Sequence, residues 1–177
     1  RSNGIPVVDS ILVNRVEISR SIDDVIHLVE QSLSYPVFVK PANLGSSVGI
    51  TKCTSRSDIY EGLLEASQFD RRVLIERGVN AREIEVSVLG NENPIASTPG
   101  EIRPSDEFYT YEAKYLDEHS ELIIPARIDE KVANTCKELA LRAYKAIDGA
   151  GMARVDFLLD RETQEISLSE VNTIPGF

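Results

Sequence analysis

The chain is predicted to fold as an α+β protein, on three observations. Amphipathic stretches of helical period alternate with short apolar runs. Those runs fall in antiparallel pairs between the helices, and one of them alternates strictly between acidic and aliphatic residues. With 177 residues, 42% of them hydrophobic, the chain can bury one sizeable core or two small ones.

The elements follow in order. After the apolar segment Ile5 to Val13, residues Ile22, Val25, Ile26, Leu28 and Val29 recur at helical spacing, and Ser21 stands where an N-cap belongs, so 21–32 reads as a helix. Val37 to Val39 is a short buried strand ending in Lys40-Pro41. The glycine-flanked loop Gly45-Ser46-Ser47-Val48-Gly49 and a returning strand from Ile50 to Cys53 come next. A second helix fits Asp58 to Gln68, with Ile59, Leu63 and Leu64 on one face, and Val73 to Glu76 reads as a strand. Glu83 to Leu89 is the alternating strand, half exposed. Pro94 to Ser97 returns after the turn from Gly90 to Asn93. Thr98 to Ser120 is a long polar and aromatic segment; a loop of that length is functional or disordered, and its tyrosines argue against disorder. From Asp129 to Ile147, Val132, Cys136, Leu139, Ala140, Ala143 and Ile147 mark an amphipathic helix. Strands 152–159 and 166–171 close the chain around the polar turn 160–165.

Charge and composition exclude several function classes. Nineteen basic against 29 acidic residues give a net charge of -10, which argues against nucleic acid or an anionic membrane surface as partner. No apolar run reaches the roughly 18 residues of a membrane span, and residues 1–13 lack the layout of a signal peptide, so a cytoplasmic location is expected. Cys53 and Cys136 have no Cys or His motif around them and read as reduced thiols. His27 and His119 belong to no constellation. Both ends read as cut, the last one in the loop that follows a strand.

A hairpin folded about Thr163 sets Asp156 opposite Glu170 and Arg154 opposite Asn172, all on one sheet face, with Leu158, Leu168 and Ile166 further along it. Facing carboxylates repel unless a cation lies between them, and two carboxylates with an amide oxygen suit a hard ion such as magnesium. Arg154 adds positive charge where negative charge develops. On spacing alone, D…E-x-N is a loose pattern, and a solvated edge hairpin explains it equally well. G-S-S-x-G alone is more often a tight turn than a phosphate loop, and Glu83 with Glu85 alone is more often a solvated strand face.

What separates these readings is the ending. Glu170-Val171-Asn172-Thr173-Ile174-Pro175-Gly176, together with Ala153-Arg154-Val155-Asp156, resembles the signature strand and loop of the D-alanine:D-alanine ligases, and the similarity runs over nearly the whole chain. The resemblance implies an ATP-grasp fold: two α+β lobes, 1–86 with the serine loop and 87–177 with the omega loop and metal site, holding a nucleotide between antiparallel sheets. It implies Asp156, Glu170 and Asn172 as ligands of Mg2+, with Mn2+ as a substitute, and Arg154 as stabiliser of an acyl phosphate and tetrahedral intermediate. Gly176 offers its N–H to the oxyanion. Lys40 touches the ATP phosphates, Ser46 orients the first substrate and Ser47 belongs to the phosphate cover, small residues there letting N–H groups approach phosphate oxygens. Glu76 accepts from the adenine amino group, backbone groups of Arg77 and Val79 complete that contact, and Glu83 holds the ribose.

Tyr109-Thr110-Tyr111-Glu112-Ala113-Lys114-Tyr115 is similar to the family's omega-loop motif. By that match Lys114 reaches the γ-phosphate and Tyr115 closes the site, a charged aromatic surface loop being the bland alternative. E-A-K-Y resembles the D-alanyl-D-alanine type more than the D-alanyl-D-serine or D-alanyl-D-lactate ligases of vancomycin resistance, so D-alanine is the expected substrate. The implied protein is a cytoplasmic, homodimeric enzyme of peptidoglycan synthesis. The family's N-terminal lobe, a phosphate-binding lysine expected before Arg1 and a serine-containing segment expected after Phe177 are absent, so these 177 residues alone are expected to be inactive. Two alternatives stand beside this reading: another ATP-grasp ligase of a carboxylate and an amine, and a nucleotide-binding module without catalysis.

Overall fold

The computed structural model describes residues 2–44, 48–103 and 121–175. They form two compact units, one of residues 8–44 and 48–78, the other of 2–7, 79–103 and 121–175. The change of unit therefore comes at Gly78–Val79 and not between 86 and 87. The reason is that 81–89 is one continuous strand at the middle of a sheet, and a unit boundary cannot cut it without severing its pairing.

In the first unit the order is β1 (Ser10–Asn14), α1 (Arg15–Arg20), α2 (Ile22–Ser32), β2 (Val37–Pro41), β3 (Thr51–Cys53), α3 (Arg56–Phe69) and β4 (Arg72–Arg77). The strands make an antiparallel sheet in the order β1-β4-β2-β3. Ser21 caps α2 as expected, accepting from the Asp24 N–H at 3.4 Å. The short helix α1 was not legible in the pattern; Glu17 starts it by turning back to accept from the Asn14 N–H at 2.7 Å. Helix α3 begins ahead of Asp58 because Asp58 is the third residue of a capping box: it accepts from Thr54 and Ser55 while its own N–H donates to Ser55 Oγ. Its buried stripe is Ile59, Gly62, Leu63 and Ala66, whereas Leu64, expected on that stripe, is exposed. Gly62 matters to that packing, since a Cβ there would stand 3.1 Å from Thr51 Cβ and 3.3 Å from Val39 Cβ. Val37, Val39, Val73 and Ile75 bury one sheet face against the helices.

The second unit holds β5 (Ala81–Leu89), β6 (Ile95–Ala96), β7 (Gly100–Arg103), β8 (Glu121–Ile123), α4 (Glu130–Ala146), β9 (Met152–Asp160) and β10 (Ile166–Asn172). The sheet order is β10-β9-β5-β7-β8, with β6 also on β5. Ile84, Val86, Val88, Ala153, Val155, Phe157 and Leu159 point to α4, which buries Cys136, Leu139, Ala140, Ala143 and Tyr144 against them. Ile147, expected on that stripe, lies past the last turn and is exposed.

Part of the expected long loop is strand. Its first stretch is β7, where Glu101 is 1% exposed and accepts from Arg82 Nε and Nη2 at 2.7 Å each. Residues 104–120 lie outside the described residues.

Candidate active site

The hairpin β9–β10 has the expected pairing where it matters: Glu170 is opposite Asp156 and Asn172 opposite Arg154. Beyond that point the expectation fails. A bulge between Leu168 and Glu170 shifts the register, so that Leu168 pairs with Phe157 and Ile166 with Leu159. One extra residue turns every following side chain to the other face. Leu168 and Ile166 therefore leave the polar face and pack on the core beside Val171, while Glu170 and Asn172 stay on the polar face. Without the bulge a single strand of this sequence could not do both.

Strand β5 completes the site from the other side of β9. Glu85 is paired with Asp156 and Ser87 with Arg154, so Glu85, Asp156 and Glu170 form one row across three strands. Arg154 lies against the middle of that row. Its Nε and Nη2 donate to Asp156 Oδ1 and Oδ2, both at 2.8 Å, and Nε is 3.2 Å from Glu85 Oε1. Asn172 Nδ2 donates to Asp156 Oδ2 at 2.8 Å and, more weakly, to Glu170 Oε1 at 3.3 Å. The side chains of Arg154 and Asp156 are only 21% and 16% exposed. Hydrogen bonding to Asp156 holds the Arg154 guanidinium above its already high range, burial opposing and the charges of Asp156, Glu85 and Glu170 adding to it.

This face gathers three carboxylates around one guanidinium among the described residues, surroundings that suit a cation. Among the described residues no group of three or more His, Cys, Asp and Glu is arranged to hold a metal. The candidate set has only two such residues, Asp156 and Glu170, and its third donor is the amide of Asn172. That amide turns its NH2 toward both carboxylates here, satisfying them as a cation would; rotated about its last bond, it presents Oδ1 instead. The donors are all oxygen and adjacent, so the residues fit magnesium.

Glu83 is on β5, on the same face as Glu85, between Leu158 and Ile102. Glu85 is the residue that sequence reasoning missed. Alternation placed it on this face, but nothing in the sequence says that β9 lies beside β5.

In the four-stranded unit Lys40 and Glu76 form an ion pair, each about one-fifth exposed. Register explains it: Phe38 is opposite Glu76 and Lys40 opposite Leu74, on the sheet face away from the helices. Phe38 and Leu74 thus give apolar surface beside the pair, suited to a planar base, and were also missed. The Arg77 N–H donates to the Asp9 carbonyl at 2.9 Å. Val79 is the first residue after the change of unit. Ser46, Ser47, Lys114, Tyr115 and Gly176 lie outside the described residues. Among the described residues no helix is long and apolar enough to cross a membrane.

Comparison with known proteins finds relatives along the whole chain. The family described as D-ala D-ala ligase C-terminus matches residues 1–177. A D-alanine–D-alanine ligase of Clostridium novyi (strain NT) is 52% identical over 174 residues, 98% of this chain and 51% of its own length. One from Thermoanaerobacter sp. (strain X514) is 54% identical over 175 residues, 98% of this chain and 48% of its own. Among solved structures, the VanG D-Ala:D-Ser ligase from Enterococcus faecalis superposes with a TM-score of 0.85 at 35% identity, covering 99% of this chain and 50% of that one. The D-alanine-D-alanine ligase from Coxiella burnetii gives 0.81 at 32%, covering 100% and 45%. These ligases have the ATP-grasp fold, and this chain shares it. The chain spans about half the length of the curated relatives it matches.

Proposed function

The chain belongs to the D-alanine–D-alanine ligase family, and from that premise we propose that it is the metal- and nucleotide-binding part of an ATP-dependent ligase that forms D-alanyl-D-alanine for peptidoglycan. The observation that carries the proposal is Asp156 opposite Glu170, with the Asn172 amide on both carboxylates and Arg154 on Asp156. In this reading Asp156, Glu170 and Asn172 hold Mg2+, or Mn2+ in its place. The ion would screen the charge of the ATP phosphates.

The carboxylate of one D-alanine attacks the γ-phosphorus of ATP, and ADP leaves. The amine of the second then attacks the acyl carbon, phosphate leaves and a proton is lost. No covalent enzyme intermediate is needed, so the protein contributes position and charge. Arg154, held fixed by its carboxylates, faces the charge that grows on the reacting oxygens. Lys40 exchanges its bond to Glu76 for the phosphates, Glu76 turns to the adenine amino group, the backbone of Arg77 and Val79 completes the base contact and Glu83 binds the ribose. The match of motifs assigns Ser46 and Ser47 to the phosphate loop, Lys114 and Tyr115 to closure over the γ-phosphate and first substrate, and Gly176 to the oxyanion. Excluding water there protects the acyl phosphate from hydrolysis. A homodimer in the cytoplasm completes the proposal.

D-alanine as second substrate is favoured by the E-A-K-Y motif and by relatives of higher identity than the D-Ala:D-Ser ligase. The test is phosphate release by the full-length gene product with ATP and D-alanine, D-serine or D-lactate as acceptor. Release stimulated by D-alanine is expected; release indifferent to it would overturn the substrate assignment.

A further inference from the structure

We propose that Glu85 is a positioning residue that keeps Arg154 in place when Asp156 turns to the metal. Arg154 has carboxylates from two strands, Asp156 on its own strand β9 and Glu85 on β5. Its Nε–H is a single donor with two acceptors in reach, Asp156 Oδ1 at 2.8 Å and Glu85 Oε1 at 3.2 Å, the second at the outer edge of ordinary hydrogen-bond length. In the proposed function, on which this inference rests, Asp156 must give oxygen lone pairs to the metal, and its twofold hold on Arg154 weakens. Glu85 is already within reach of the freed Nε–H. A flexible arginine that keeps Glu85 while Asp156 turns away retains a holder from a second strand, and with it the orientation that makes it useful to a transition state.

Two other roles for Glu85 fit less well. As a third metal ligand it would share one ion with Glu170, yet the two stand on strands flanking β9, two strand spacings or roughly 9.5 Å apart at the backbone. Ligands of one magnesium lie about 2.1 Å from it, so both side chains would have to lean across Asp156. As a merely solvated carboxylate it would not be only 22% exposed and within 3.2 Å of a guanidinium nitrogen.

The experiment observes the Arg154 Nε–Hε group by 15N NMR in the 177-residue chain, assigned by its disappearance in Arg154→Lys. In Asp156→Asn, which removes one charged holder and keeps the shape, the Arg154 signal should stay sharp with solvent exchange slowed at least about tenfold relative to exposed arginines. In Asp156→Asn/Glu85→Leu it should merge with them, and Asp156→Asn/Glu85→Gln, which keeps an acceptor, should restore much of the protection. Loss of the signal in Asp156→Asn alone, or its survival in the Leu double variant, overturns the proposal. Should the Leu variant fail to fold, Glu85→Thr, too short to reach, replaces it.

Thermal melts with magnesium and ATP separate the two readings. Glu85→Leu should keep whatever magnesium-dependent ATP stabilisation the chain shows; its selective loss makes Glu85 a ligand and overturns the proposal. If the chain shows no such stabilisation at all, the metal assignment fails, while the NMR result still decides whether Glu85 holds Arg154.

Discussion

Two arginines of the six-stranded sheet hold carboxylates in bidentate fashion on opposite faces, and they differ in charge balance. Arg82, on the core face, donates to Glu101 through Nε and Nη2 at 2.7 Å each and to the Arg127 carbonyl at 2.8 Å, and Arg103 Nε stands 3.6 Å from the same carboxylate, so two cations surround one buried anion. Arg154, on the other face, has Asp156, Glu85 and Glu170 around it among the described residues. The buried carboxylate is satisfied by arginines within the fold. The acidic cluster on the strand face gathers more anions than cations among the described residues, which makes it the candidate for a bound cation.

The sharpest way to break this comparison is Arg154→Met in the full-length gene product. Loss of a charge-stabilising donor should lower kcat by about a hundred- to a thousandfold. A fall of less than tenfold in a steady-state assay would place Arg154 with Arg82 as a structural residue.

Next in size is Glu101→Ala, which leaves Arg82 without its anion. Removing one partner of a buried pair costs about 3–5 kcal/mol, and the low end applies because Arg82 keeps some water and the Arg127 carbonyl. Urea denaturation should show this loss, and Arg82→Met/Glu101→Leu should recover most of it. Equal losses in single and double variants would mean that the pair is not a unit.

Glu170→Gln should leave the apo chain within about 0.5 kcal/mol of wild type, since Glu170 is on the exposed polar face. It should remove magnesium-dependent stabilisation by ATP, worth about 2.7 kcal/mol at a hundredfold excess over Kd. Unchanged stabilisation in a thermal melt would mean that the surplus negative charge does not serve a metal.

The smallest effect is a pH dependence at Glu101. Hydrogen bonds from Arg82 hold the Glu101 carboxyl below its usual 4.5, burial opposing. Its contribution to stability is therefore fully present above about pH 4.5 and lost as pH falls through the lower, folded value. The stability gap between wild type and Glu101→Gln should narrow on acidification from pH 7 toward pH 3, and a gap that widens would contradict the pairing.

Much of the site was legible because local rules carry it. Asp156 opposite Glu170 and Arg154 opposite Asn172 follow from the hairpin turn and the two-residue period, and the helices follow from their apolar stripes. Strand β7 was not legible: Gly100 to Arg103 has only one aliphatic residue, and the strongest hydrogen bonds to buried Glu101 come from Arg82, far away in sequence. Leu168 and Ile166 were placed on the wrong face because a bulge leaves no mark in a run of strand-forming residues.

By itself the sequence determined the α+β class, most of the elements and the residue types of the candidate metal site, because periodicity, caps and hairpin spacing act between near neighbours. Tertiary structure alone decided that β5 lies beside β9, that Glu85 joins Asp156 and Arg154, that Lys40 meets Glu76, and that Leu168 turns to the core. Those contacts join strands by lateral hydrogen bonding between segments distant in the chain, and which strands pair is settled by burying every apolar face at once.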